Sequence, residues 1–140
     1  MTMPAPVPPI VVDEDGDIEV YSSVEDVRAW LEAYDVKEGR YEAFDSHGRR
    51  LEFAIQGYAV TGMRIDPGLA EDPVELRRRL LVYVKSAGAS DLGITEPDAA
   101  TLSELLSGIL ERQDAVRQSH WGDSALSLRE SLKRLFGGRA

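Results

Sequence analysis

Four carboxylates alternate along Asp13, Asp15, Asp17 and Glu19, with Glu14 among them, in a single short stretch. The spacing is close to that of a calcium loop, in which oxygens from every second residue converge on one hard cation. Such a loop also needs a glycine directly after its third ligand and a bidentate Glu at its twelfth position. With Asp13 as the first position, those places hold Ile18 and Val24, so no metal is expected here. Asp-Gly turns and strand edges collect the same acids for conformational and solubility reasons.

Other chemistry-bearing side chains are sparse. His47 falls in a turn and reads as a solvent-facing turn residue, while His120 stands beside Trp121 between two helical patterns. An exposed Trp is a natural interface anchor, which makes Trp121 a candidate contact. The absence of cysteine excludes disulfides, thiolate metal sites and a Cys nucleophile. There is no Gly-x-Ser-x-Gly elbow, and Ser131 precedes Lys133 by two residues where a Ser-x-x-Lys pair needs three. Ala87–Gly93 and Gly137-Gly138 lack the Lys-Ser/Thr of a phosphate loop and read as helix ends. Arg77-Arg78-Arg79 is dense, but successive helical residues point about 100° apart and cannot share one phosphate-binding face. Glu71, Asp72 and Glu75 lie nearby to neutralise it. The expectation is a non-enzyme without cofactor that binds no nucleic acid.

The elements that carry these residues follow from periodicity. Ile10–Val12 and Ile18–Tyr21 are β-rich runs across Asp15-Gly16, the signature of a hairpin. Ser22 stands three residues before Glu25, a capping-box spacing, and Val24, Val27, Leu31 and Tyr34 then predict one amphipathic helix to about Val36, ended by Gly39. Arg40–Asp45 and Arg50–Ile55 flank Ser46-His47-Gly48-Arg49 as a second hairpin, and Tyr58–Ile65 is a further strand in which Gly62 marks a bulge. Asp72-Pro73-Val74-Glu75 opens a helix carrying Leu76, Leu80 and Val84 to about Gly88. Thr95-Glu96-Pro97-Asp98 is expected to open the longest helix, with Leu102, Leu105, Leu106, Ile109, Leu110 and Val116 as its apolar stripe. A last helix carrying Leu128, Leu132, Leu135 and Phe136 is expected after an Asp123 cap.

Strands first and helices later predict an α+β fold: an N-terminal antiparallel sheet of four to five strands with one inserted helix, then about three C-terminal helices. Residues 1–9, with four prolines, read as a flexible arm, and residues 10–140 as a single domain. The arm has neither the basic nor the continuous apolar region of a secretory signal. No apolar run reaches the ~18 residues of a membrane span, so a cytoplasmic location is expected.

Charge is uneven. The 140 residues carry a net −9, distributed as −8 over residues 1–60, −4 over 61–116 and +3 over 117–140. An acidic body repels phosphates and attracts cationic partners over roughly a Debye length of about 8–10 Å. The candidate partner contacts are therefore Glu14, Asp15, Asp17, Glu19, Glu42 and Glu52, together with Trp121.

The acidic β-rich opening, the helix after it, the Tyr41-Glu-Ala-Phe-Asp-Ser-His-Gly48 hairpin and the later helices resemble, in their order, the small bacterial immunity-type proteins that neutralise polymorphic or contact-delivered toxins. The resemblance covers residues 10–86 and carries no catalytic motif to transfer. It implies a cytoplasmic binding protein whose acidic surface blocks a cationic toxin domain. Two other expectations stand beside it. One is a structural or regulatory domain that forms a homodimer through its leucine-rich C-terminal helices. The other is a small-molecule-binding domain with a pocket between sheet and helices.

Overall fold

The computed structural model describes residues 4–119. Five strands form one antiparallel sheet in the order β2-β1-β3-β4-β5, accompanied among the described residues by four α-helices, which makes the fold α+β. β1 (Ile10–Glu14) and β2 (Asp17–Tyr21) are joined by Asp15-Gly16, whose φ values of 52° and 97° give the turn a twist that suits the strands. The Gly16 N–H donates to Asp13 Oδ1 at 2.8 Å and holds the turn closed. β3 (Glu42–Phe44), β4 (Arg50–Gln56) and β5 (Ala59–Ile65) complete the sheet. In β5, Gly62 faces Ala54 while Val60 faces Ile55, so Thr61 is the extra residue of a bulge beside the predicted glycine.

Period-two alternation gives the sheet two apolar sides. Ile10, Val12, Tyr21, Ala43 and Leu51 pack on Val27 and Leu31, with Phe53, Met63 and Ile65 at the margin. Val11, Ile18, Val20 and Phe44 face the opposite way, onto α3 (Pro73–Ala87) and α4 (Leu102–Ser119). α3 begins as expected: the Asp72 carboxylate accepts from the Glu75 N–H at 3.0 Å, Pro73 takes the first helical position, and Leu76, Leu80 and Val84 are fully buried.

Two helix boundaries differ from the sequence reading. The segment after β2 is two short helices, α1 (Val24–Trp30) and α2 (Ala33–Lys37), with Leu31 and Glu32 extended between them. An unbroken helix would carry Ala33 and Leu31 about 200° apart, whereas the break lets both be buried and leaves Tyr34 outside. The cap is Ser23, which accepts from the Asp26 N–H, while the Ser22 hydroxyl bonds the Asp26 carboxylate. The longest helix starts at Leu102, after a separate 3₁₀ turn at Pro97–Ala99. Thr101 and Glu104 form the capping box there, each side chain accepting the other's N–H at 3.1 Å. Leu105, Leu106 and Ile109 are buried in the domain's own core, with Leu102 and Leu110 half-buried beside them. The expected last helix, with Asp123, Leu128, Leu132, Leu135 and Phe136, lies outside the described residues.

α4 also closes an edge of the sheet. In β2 the outward backbone groups belong to Ile18 and Val20, and fully buried Gln113 meets them as a neighbouring strand would. Its Nε2 donates to Ile18 O at 2.8 Å, and its Oε1 accepts from the Val20 N–H at 2.8 Å. Nε2 also donates to the Tyr83 hydroxyl, and Oε1 accepts from Arg117, so all four hydrogen-bonding positions of the amide are used. Arg117 donates to Val20 O at 2.7 Å and lies over the Tyr21 ring, 4.2 Å from its centroid.

A turn anchors the other end of the fold. The buried Asp45 carboxylate accepts from the N–H groups of Val7, His47 and Arg49 and pairs with the Arg49 guanidinium at 2.7 Å. The arm is thereby held at Val7, whose carbonyl accepts from the Ser46 N–H at 2.9 Å. Gly48, at φ +77°, brings this turn against the start of α3, where Asp72 N–H donates to Gly48 O at 2.9 Å.

Candidate interaction surface

The strand directions gather several acidic residues at one end of the sheet. β1 and β4 are both antiparallel to β3, so the Asp15-Gly16 and Gly57-Tyr58 turns leave the sheet at the same end. β3 enters from that end, with Glu42 opposite Asp13, and α2 precedes it there, with Lys37 Nζ donating to Gly57 O at 2.8 Å.

On the α3 side an ion-pair network ties four elements together. Arg79 reaches Asp13 at 3.0 Å, Glu42 at 3.0 Å and Glu75 at 3.1 Å. Arg50 pairs with Glu42 at 2.9 Å, and Arg78 pairs with Glu75. The Arg50 and Arg79 guanidiniums both lie over the Phe44 ring, 5.2 and 4.9 Å from its centroid. Hydrogen bonds from Arg78 and Arg79 pull Glu75 down to about 2. Three carboxylates and three guanidiniums balance in this network, and Glu14, Asp15 and Asp17 add three further formal negative charges at the hairpin tip beside it.

The sequence-derived candidates therefore separate. Asp15 is exposed in the turn, and Glu14 and Asp17 flank it half-buried. Glu42 lies at the same end, inside the network. Glu19 is buried, its carboxylate accepting from the Tyr21 hydroxyl at 2.8 Å, which leaves it little surface for a partner. Glu52 pairs across the β4–β5 ladder with Arg64 at 2.8 Å. Trp121 lies outside the described residues. His47 is exposed in its turn, and among the described residues no group of three or more His, Asp or Glu is placed to hold a metal.

A cleft at this end went unread in the sequence. It is an open depression of about 610 Å³ between α1–α2 and the Gly57-Tyr58 turn, lined by residues that include Glu25, Arg28, Glu32, Tyr34, Tyr58 and Val60. Tyr34 is 66% and Tyr58 98% exposed. Arg28 pairs with Glu25 at 3.1 Å and donates to Val60 O at 3.2 Å. A signal was present in Tyr58, an aromatic residue directly after Gly57 in a two-residue hairpin turn, where its ring must project from the sheet.

Two buried groups are shifted for structural reasons. Burial, outweighing the Gln113 contact, pushes the Tyr83 hydroxyl up to about 12. Burial pushes Asp45 up, but its hydrogen bonds from Arg49, Val7 and His47 prevail and hold it below the usual carboxylate range. Among the described residues no helix is long and apolar enough to cross a membrane. No protein-family model, curated protein or solved structure matches this chain.

Proposed function

We propose that the chain is a non-enzymatic protein-interaction module, in its sharpest form a cytoplasmic immunity-type protein that neutralises a cognate cationic toxin domain. The observation that carries this reading is the gathering of carboxylates at one end of the sheet, where Glu14, Asp15 and Asp17 of the hairpin tip lie near Asp13 and Glu42. Such a field accelerates capture of a cationic surface and fades with salt. Two of the shifted groups sit in packing contacts: Tyr83 bonds Gln113 between α3 and α4, and Asp45 ties its turn to the arm at Val7. Burial of Leu105, Leu106 and Ile109 in the domain's own core makes that part of α4 a packing surface of the monomer.

The test begins with a partner isolated by co-purification from the source cell, followed by association rates over a range of ionic strength. Reversing Glu14, Asp15 and Asp17 together to Lys is expected to slow association by about 10-fold or more at low salt, and rising salt is expected to erase the difference. A salt-independent rate, with the reversals harmless and Trp121→Ala abolishing binding, would refute the electrostatic reading and move the interface to the C-terminal segment.

A further inference from the structure

The cleft beside the Gly57-Tyr58 turn has the components of a socket for a single cationic side chain. Two tyrosines form part of its wall, and an aromatic face attracts a guanidinium or ammonium through its quadrupole. The chain's own Lys37 shows the attraction at this site: its ammonium lies 5.8 Å from the Tyr58 centroid while it donates to Gly57 O. At 98% exposure Tyr58 nevertheless keeps most of its surface open.

Charge selects the occupant. Of the two carboxylates in the wall, Glu25 is matched by Arg28, whereas the exposed Glu32 side chain makes no ion pair or hydrogen bond among the described residues. Glu32 is thus the lining carboxylate that no basic side chain among the described residues pairs with, beside two aromatic rings and apolar residues that include Leu31, Ala33 and Val60, and Lys37 at the Tyr58 ring is the nearby cation an entering base would displace. An apolar side chain would leave Glu32 facing a desolvated contact, and an anion would meet it directly. A basic side chain satisfies it and covers the floor with its methylene stem.

We infer that this cleft seats an arginine or lysine side chain of a cationic protein partner, with Glu32 as its counter-charge and Tyr34 and Tyr58 as its aromatic walls. The inference rests on the proposed function, because the cleft and the hairpin tip lie at the same end of the sheet and would meet one partner together. It adds a division of labour: the tip steers the partner in, and the cleft holds one anchor residue.

The test needs no identified partner. The full chain, labelled with ¹⁵N, is titrated with the capped tripeptide acetyl-Gly-Arg-Gly-amide and with its norleucine counterpart, and amide shifts are followed. The arginine peptide is expected to move the amides of Glu32, Tyr34, Tyr58 and Ala59 in a saturable way. Tyr58→Ala and Glu32→Gln, both at exposed positions, are each expected to weaken it by about 2- to 5-fold. Lys37→Ala is expected to strengthen it by removing the internal competitor. Equal binding of the norleucine peptide would overturn the assignment in favour of a plain apolar groove. Shifts confined to residues 13–17, or no shifts at all, would overturn it too. The hairpin-tip reversals are scored separately, by association rate with the whole partner. A cleft that binds arginine while those reversals are harmless would therefore refute the steering role and leave the socket standing.

Discussion

Replacing Gln113 by Leu tests whether a single side-chain amide closes the β2 edge. The substitution nearly conserves volume, so it removes hydrogen bonds without opening a large cavity. What it strands is specific: the Val20 N–H and Ile18 C=O lose their Gln113 partner, as does the Tyr83 hydroxyl. A buried polar group left without a partner costs about 1–3 kcal/mol. The two backbone groups alone therefore predict a loss of about 2–6 kcal/mol, a large share of the roughly 5–15 kcal/mol that holds a domain together. Urea denaturation should show this as a lower midpoint with an unchanged slope, and the Val20 amide should exchange with solvent much faster. Gln113→Glu gives a finer reading. Its carboxylate still accepts from Val20 and Arg117 but cannot donate to Ile18 O, so its stability should fall between wild type and the Leu variant. If Gln113→Leu shifts stability by less than about 1 kcal/mol and Val20 stays protected, the amide does not seal the edge.

Asp45→Asn should cost about 2–4 kcal/mol by breaking a buried ion pair and at least one of its hydrogen bonds, and should free Val7 to exchange. Because the folded-state pKa of Asp45 lies below its unfolded value, its contribution is present above about pH 4 and is lost as pH falls through the folded value. Acid titration of stability should accordingly be shallower in the Asn variant. Gly48→Ala must place a Cβ 2.5 Å from Pro73 N at positive φ, so a loss of about 2–4 kcal/mol is expected by thermal or urea unfolding. Leu106→Ala should cost about 2–5 kcal/mol as a core truncation. Mass by light scattering should be unchanged, whereas a change in mass with intact stability would reassign the stripe to self-association.

The strands were legible because Ile10–Val12 and Ile18–Tyr21 are β-rich runs across Asp15-Gly16, and Leu51, Phe53 and Ile55 alternate, all purely local signals. α3 was legible for the same reason, since Asp72, Pro73 and Glu75 mark its start within four residues. The α1–α2 break was not, because no Pro or Gly stands at Leu31 or Glu32 and only the burial of both Leu31 and Ala33 demands it. At α4 the expected start at Thr95-Glu96-Pro97-Asp98 gave way to the Thr101-x-x-Glu104 box, which begins the helix at Leu102. Gln113 and Arg117 continue the helical stripe of Leu102, Leu106 and Ile109 at the next positions, so two polar residues on an apolar line were the available sign of an inward polar contact. Their partners in β2 lie more than 90 residues away, and no local pattern could name them. The acidic surface was readable as composition only. That Glu19 is buried and that Asp13 and Glu42 are tied to Arg79 are tertiary facts.

The distance along the chain between β2 and its cover has a consequence during synthesis. β1 and β2 can pair as soon as Tyr21 has emerged, since their contacts are local, but Gln113 and Arg117 must still be translated. At roughly 5–20 residues per second, the interval is about 5–20 s. Throughout that time the nascent hairpin offers the backbone groups of Ile18 and Val20 to any strand nearby, including that of a neighbouring chain on the same messenger. In that interval like charge at Glu14, Asp15, Asp17 and Glu19 opposes the edge-to-edge approach of two such hairpins until α4 arrives.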